Sequence, residues 1–85
     1  MTHRIEVSTE DRGVVFEVHG LVDPPALANL EASIAFVRQS GAAPKVVLRP
    51  GAEVERSCLD RLRALDAEIV TESPFLAAWL AADAA

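Results

Sequence analysis

Residues 14–25 of the chain read VVFEVHGLVDPP and pass from an alternating strand pattern directly into the start of a helix. In a pleated strand alternate residues share a face. The apolar residues on one face of this strand are Val14, Phe16 and Val18. Asp23 can accept hydrogen bonds from the free amides of a first helical turn, and Pro24 has the fixed φ that suits that turn. We therefore predict a strand that ends near residue 22 and a helix that begins near residue 24.

The residues before this strand predict an antiparallel partner for it. Residues 4–8 alternate between polar and apolar, which puts Ile5 and Val7 on one strand face. Residues 9–13, Thr-Glu-Asp-Arg-Gly, then interrupt the alternation with residue types that favour turns. The first twenty residues are therefore predicted to form a hairpin.

The helix pattern after Asp23 has a single apolar stripe at steps of three and four residues. Its members are Leu27, Leu30, Ile34 and Val37. Ser40-Gly41 end the pattern, because glycine tolerates the left-handed conformation that closes a helix. Residues 45–49 then read Lys-Val-Val-Leu-Arg between two prolines, which predicts a central strand covered on both faces.

Two more helices and one more strand are predicted in the remaining sequence. Ser57 and Asp60 have the spacing of a capping box, which predicts a second helix ending near Asp66. The apolar seam of that helix is Cys58, Leu62 and Leu65. Residues 67–71 predict a last strand, and Ser73-Pro74 predict the start of a third amphipathic helix. Its larger apolar residues are Phe75, Leu76, Trp79 and Leu80, with Phe75 expected in the core.

The order of these patterns is β-β-α-β-α-β-α, which predicts one α/β domain over residues 1–85. We expect a layered sandwich in which three helices pack on a four-stranded mixed sheet, with right-handed crossovers between the parallel strands. Residues 81–85 offer almost no apolar anchor and are expected to fray.

Composition and charge exclude several classes of function. The formal net charge is −5, from 8 Lys+Arg against 13 Asp+Glu, whereas nucleic-acid binding requires clustered cations. The single cysteine, Cys58, excludes an intramolecular disulfide and suits a reducing compartment. The sequence shows neither the apolar segment of a signal peptide nor a run long enough for membrane insertion. We expect a cytoplasmic protein that binds no nucleic acid.

The chain resembles the STAS domain, which is shared by bacterial anti-sigma factor antagonists and the cytoplasmic tails of sulfate transporters. The resemblance lies in the strand that runs through Gly20-Leu21-Val22-Asp23 into a helix, and in the strand Lys45–Leu48. Residues 62–70 are also similar to the family's second helix and next strand. The resemblance implies a regulatory domain whose partner is a protein such as an ATP-binding anti-sigma kinase or a transporter ATPase.

The resemblance also implies a phosphoacceptor. Phosphorylated members of the family carry Asp-Ser-Ser-Gly or a similar sequence at the start of the second helix, where this chain has Glu55-Arg56-Ser57-Cys58-Leu59. Ser57 is therefore the phosphoacceptor candidate, and its alternative role is that of an ordinary capping serine. The preceding strand ends in Arg49-Pro50-Gly51, where the family usually carries an acidic residue.

Residues 49–57 form the best loop for a binding role, because ligands of open α/β sheets bind beyond the carboxyl ends of the strands. The candidate partner-binding residues are Asp23, Arg49, Glu53, Glu55, Arg56, Ser57 and Trp79. We predict no catalytic residue, no metal site and no cofactor. The acidic residues lack the spacing of a Ca²⁺ loop, and His3 and His19 lack that of a zinc site.

Three functions remain open. The first is a non-catalytic protein-binding module similar to a STAS domain. The second is a small accessory or structural subunit of a larger enzyme or transport complex, docked through the third helix. In either case a core this small can be supplemented by assembly into a homo-oligomer. The third is a small enzyme with Cys58 as nucleophile, for which the sequence shows no base.

Overall fold

The computed structural model describes residues 3–81, which form five strands and three helices in a mixed α/β arrangement. The strands are β1 (His3–Glu10), β2 (Gly13–Val22), β3 (Ala43–Leu48), β4 (Glu53–Val54) and β5 (Glu68–Thr71). The helices are α1 (Pro24–Gln39), α2 (Leu59–Arg63) and α3 (Pro74–Ala81), and a 3₁₀ turn (Arg56–Cys58) leads into α2. The predicted α/β class and the order of its main elements are confirmed. Of the tail expected to fray, Ala81 ends α3, and residues 82–85 lie outside the described residues.

The sheet has the strand order β1-β2-β3-β5 and is mixed in direction. β1 and β2 are antiparallel around a turn at Asp11-Arg12, whereas β3 and β5 run parallel to their neighbours. The short strand β4 pairs in parallel with Leu21 and Val22, the last two residues of β2. The predicted sheet of four strands therefore gains a two-residue strand inside the segment predicted as a polar loop.

Helix α1 covers the sheet with the stripe that the sequence predicts. Its buried residues are Ala26, Leu27, Leu30, Ile34 and Val37. All of these except Ala26 pack with Phe16 and Val18 of β2 and with Val46 and Leu48 of β3 in one apolar cluster, to which Leu62 of α2 also belongs. Burying a large aliphatic side chain contributes about 1.5–3 kcal/mol, so this cluster is the main source of stability in the domain.

Both ends of α1 and the start of α3 carry the capping groups predicted for them. The Asp23 side chain accepts from the backbone N–H of Ala26 at 3.0 Å, which satisfies one of the free amides of the first turn. Gly41 has a φ of 87°, the left-handed conformation that follows a helix. At α3 the Ser73 hydroxyl accepts from the N–H of Leu76 at 3.3 Å. Among the described residues, no helix is long and apolar enough to cross a membrane.

The central strand β3 is not covered on both faces, contrary to the prediction. Val46 and Leu48 are buried beneath the helices, whereas Lys45 and Val47 on the opposite face are partly exposed. The three helices all pack on one side of the sheet, because the strand order β2-β3-β5 and two right-handed crossovers keep α1 and α2 on the same face. Consecutive apolar residues alone did not distinguish this arrangement from a two-sided one.

Three predictions about the last two helices are wrong. Helix α2 ends at Arg63 rather than near Asp66, and no side chain caps its start, because the 3₁₀ turn directs the Ser57 hydroxyl elsewhere. Phe75 is 66% exposed rather than in the core, while its neighbour Leu76 is buried. Helix α3 has apolar residues on every side, so its pattern did not indicate which face turns inward.

Candidate functional site

The carboxyl ends of β2, β3 and β5 lie at the same edge of the sheet, because these three strands are parallel. The chain leaves this edge at Asp23, Arg49 and Glu72. In open α/β sheets ligands bind at such an edge. The residues predicted to bind a partner come mostly from these exits, and we refer to Asp23, Arg49, Glu53, Glu55, Arg56 and Ser57 as the carboxyl-end surface.

The loop after β3 begins with a tight turn. The Arg49 carbonyl accepts from the N–H of Ala52 at 2.9 Å, and Gly51 between them has a φ of 88°. A type II turn needs a positive φ at its third position, where glycine is favoured, and commonly has proline at its second. The N–H of Arg49 also donates to the Val18 carbonyl at 3.0 Å, so the backbone here is fixed to β2 while the Arg49 side chain is exposed.

The segment after this turn is also held against β2. Glu53 of β4 is paired with Leu21, and the N–H of Glu55 donates to the Val22 carbonyl at 2.9 Å. Val22 directly precedes Asp23, so this bond brings the Glu55 backbone beside the start of α1. Asp23 and Glu55, which are far apart in sequence, thereby lie at the same edge of the sheet.

Ser57 lies in the 3₁₀ turn with its hydroxyl on the surface. Its Oγ donates to Glu55 Oε1 at 2.7 Å, and it lies 4.0 Å from Cys58 Sγ. Glu55, Arg56 and Ser57 are all exposed, whereas Cys58 is fully buried in the apolar core. The hydroxyl is therefore accessible and is not used to cap α2.

The Asp23 carboxylate has a structural role at this edge. It is half-buried, and its Oδ1 is occupied by the amide of Ala26 at the start of α1. Substituting this residue would alter the helix start as well as the surface, so Asp23 is a poor site at which to test partner contact.

A small cavity of about 280 Å³ opens between the exits of β3 and β5. Its walls are Arg49–Ala52 and Thr71–Ser73. The hydroxyls of Thr71 and Ser73 already accept backbone N–H groups in this turn, at 3.1 and 3.3 Å. The described residues that line this cavity include neither histidine nor cysteine, so they offer no nucleophile paired with a nitrogen base.

The chain matches no protein-family model, no curated protein and no solved structure. The function therefore has to be argued from the site itself.

Trp79 lies apart from the carboxyl-end surface, between α3 and α2. Its indole N–H donates to the Leu59 carbonyl at 3.4 Å, and the Arg63 guanidinium lies 4.2 Å from the ring centroid. Trp79 is half-buried, and the Arg63 guanidinium covers one face of its ring. These contacts hold α3 against α2. It borders the helix that follows Ser57 rather than the loop that carries Glu53 and Glu55.

Two arginines connect α1 to the region of α2. Arg61 donates to both carboxylate oxygens of Glu31, with distances of 2.6 and 3.2 Å. The Arg38 guanidinium contacts both the carboxylate and the backbone carbonyl of Asp66, each at 3.1 Å. The hydrogen bond from Arg61 lowers the pKa of Glu31 below its ordinary value of 4.5 and raises that of Arg61. These exposed pairs contact α2 through Arg61 and the segment after it through Asp66.

Sequence reasoning missed one cluster of polar side chains, on the sheet face opposite the helices. Glu6 and Glu17 are directly opposite each other across β1 and β2, and with His19 their ligand atoms lie within 4.8 Å of one another. Two carboxylates and an imidazole can hold a divalent cation. The Arg4 guanidinium already lies 3.4 Å from Glu6, however, and Glu6 itself is exposed, so we assign no metal site here. Only the hairpin register, which places residues 6 and 17 opposite each other, would have revealed this cluster.

Proposed function

We propose that the protein is a non-catalytic binding module of the STAS type, which contacts a protein partner through the carboxyl-end surface. The observation that carries the proposal is the exposed Ser57 hydroxyl, held by Glu55 instead of serving as a helix cap. The order of elements around it is the one that suggested the STAS resemblance.

The backbone of the carboxyl-end surface supports this proposal. Hydrogen bonds from Arg49 to Val18 and from Glu55 to Val22 hold the loop at both ends. A surface that is ordered before binding loses less conformational entropy when a partner docks. Its exposed charges, two arginines and two glutamates, give the contact electrostatic selectivity.

Phosphorylation of Ser57 is the regulatory step that this proposal includes. A phosphate adds about two negative charges, and it would replace a hydroxyl that now donates to the Glu55 carboxylate. Repulsion between the phosphate and Glu55 would break that bond and change the shape and charge of the surface. The partner would be an ATP-binding protein of the anti-sigma kinase or transporter ATPase kind, in the cytoplasm.

The proposal is tested by comparing what variants capture from an extract of the source organism. Arg56→Glu reverses an exposed charge on the carboxyl-end surface, and Arg12→Glu makes the same change in the hairpin turn at the opposite end of β2. We expect a partner that the unaltered protein and Arg12→Glu retain and that Arg56→Glu loses, as measured by quantitative mass spectrometry. Equal capture by all three proteins would contradict the proposal.

A second candidate function is an accessory subunit docked through α3. Phe75 at the start of this helix is 66% exposed, which is a large apolar area for the surface of so small a domain. A subunit of this kind would fold fully only with its partner present. A cooperative thermal transition of the isolated chain would favour the binding module, and a broad or absent transition would favour the subunit.

A further inference from the structure

An apolar trough runs between the edge strand β1 and helix α1. It consists of two adjoining grooves of about 380 and 550 Å³, which share Val7, Phe16 and Ser33. Phe16 is the buried floor of the trough, whereas Val7 is 61% exposed and Phe36 at its rim is 72% exposed. Exposed apolar surface with this concave shape is typical of interaction sites.

The strand beside the trough is open to pairing. β1 has eight residues and forms one end of the sheet, so among the described residues its outer edge faces no other strand. A long edge strand is a template for pairing with another chain. The residue at its middle, Val7, presents an exposed apolar side chain instead of a charge that would oppose pairing.

We propose that β1 pairs antiparallel with β1 of a second copy of this chain, with the two-fold axis at Val7. In this register Val7 faces Val7 of the second copy, and Ile5 faces Thr9. On the other face Arg4 lies opposite Glu10, and Glu6 lies opposite Ser8. The two sheets then form one continuous sheet whose helices all lie on the same side, because opposite residues of an antiparallel pair share a face.

Charge complementarity within β1 selects the second copy and the register. With the axis at Val7, residues 4–10 all pair, and no like charges lie directly opposite each other. Arg4 and Glu10, which within one chain contact Glu6 at 3.4 Å and Lys45 at 3.9 Å, form an opposite-charge pair at each end of the ladder. Moving the axis to Glu6 would place Glu6 against itself, and moving it to Ser8 would place Glu6 against Glu10. An axis at Ile5 would pair Arg4 with Glu6 but would shorten the ladder to residues 3–7.

The trough closes in the same arrangement. Phe36 lies at the end of the trough near Thr9, and Asn29 lies at the end near Ile5. The two-fold axis brings the Thr9 end of one copy against the Ile5 end of the other. Each Phe36 is thereby directed toward the partner's trough, which makes the contact self-complementary in the way a symmetric dimer requires.

The pairing does not involve the carboxyl-end surface, so it can be tested whether or not that surface binds a partner. Sedimentation equilibrium from low micromolar to near-millimolar concentration should show a reversible dimer of the unaltered chain. Val7→Lys places two ammonium groups at the axis and should leave only monomer over that range. Val70→Lys makes the same change on β5, the strand at the other end of the sheet, and should leave the dimer intact.

A charge exchange tests the register itself. Arg4→Glu and Glu10→Arg each place like charges opposite each other at both ends of the ladder, and each should weaken dimerisation several-fold. The double variant restores both opposite-charge pairs and should recover most of the lost affinity, which an axis at Ile5 would not allow. Circular dichroism and thermal unfolding of each variant establish that the fold is kept.

The proposal is overturned by any of three results. The unaltered chain could remain monomeric at the highest concentration, Val7→Lys could dimerise as the unaltered chain does, or Val70→Lys could dissociate the dimer. A dimer that both charge variants weaken but that the double variant fails to restore would overturn the register at Val7.

Discussion

The Ser57 hydroxyl, in the 3₁₀ turn, donates at 2.7 Å to the carboxylate of Glu55, the residue that directly precedes the turn. Because the acceptor is an anion, this hydrogen bond depends on a neutral donor at position 57. Any group that brings negative charge to that position replaces an attraction with a repulsion. The pair is therefore the natural point at which to alter the carboxyl-end surface without touching the core.

Ser57→Asp is expected to weaken partner binding several-fold, because its carboxylate faces that of Glu55 at the centre of the proposed contact. Ser57→Ala removes the same hydrogen bond without adding charge and should have a smaller effect. Both substitutions are exposed, so the free energy of unfolding should change by no more than about 0.5 kcal/mol. Calorimetric titration with the captured partner measures the affinities. Equal affinities for the unaltered chain and both variants would contradict regulation through Ser57.

Leu30→Ala is expected to lower the free energy of unfolding by about 2–5 kcal/mol, because Leu30 is fully buried in the apolar cluster beneath α1. Asn29→Ala changes the adjacent exposed residue of the same helix and should alter stability by no more than about 0.5 kcal/mol. Urea unfolding measures both. A small loss for Leu30→Ala would mean that the stripe of α1 is not the main contact of the core.

Features specified by nearby residues could be predicted from the sequence. The start of α1 at Asp23-Pro24, its apolar stripe and its end at Gly41 each depend on residues within one or two turns. The position of residues 49–57 at the carboxyl end of the sheet followed from the order of strands and helices alone.

Features that depend on distant residues could not be predicted in the same way. Strand β4 has two residues and exists because the end of β2 extends past β3 and offers free backbone groups. Ser57 has the local spacing of a cap, but the bond between Glu55 and Val22 fixes the preceding segment, and a 3₁₀ turn forms instead. The opposed pair Glu6 and Glu17 depends on hairpin register, which a pattern of alternation does not specify.

Cys58 is expected to react with iodoacetamide far more slowly in the folded chain than in urea, because its side chain is fully buried. A thiol of this kind reacts only when the structure opens locally or unfolds. Mass spectrometry of timed samples at neutral pH measures the two rates. If the folded chain were labelled as fast as free cysteine, the result would support the enzyme hypothesis, in which Cys58 acts as an accessible nucleophile.

The ion pair between Glu31 and Arg61 is expected to stabilise the fold at neutral pH and not in acid. The hydrogen bond from Arg61 lowers the pKa of Glu31 in the folded chain below its ordinary value of 4.5, which we take for the unfolded chain. A carboxylate with a lowered folded-state pKa contributes stability above the unfolded-state pKa. That contribution is lost as the pH falls below 4.5 through the folded-state pKa. Both side chains are partly exposed, so the effect is small and is weakened further by salt.

A double-mutant cycle with Glu31→Gln and Arg61→Gln isolates this contribution from other effects of the two substitutions. The coupling free energy between the two sites, measured by urea unfolding, should be favourable at pH 7 and approach zero at an acidic pH below the folded-state pKa of Glu31, where this carboxyl is protonated in both states. Glu68→Gln, paired with Arg61→Gln, provides the matched control on a distant exposed carboxylate of β5 and should show no coupling at either pH. A coupling between Glu31 and Arg61 that persists unchanged in acid would show that the contact between α1 and α2 depends on packing rather than on charge.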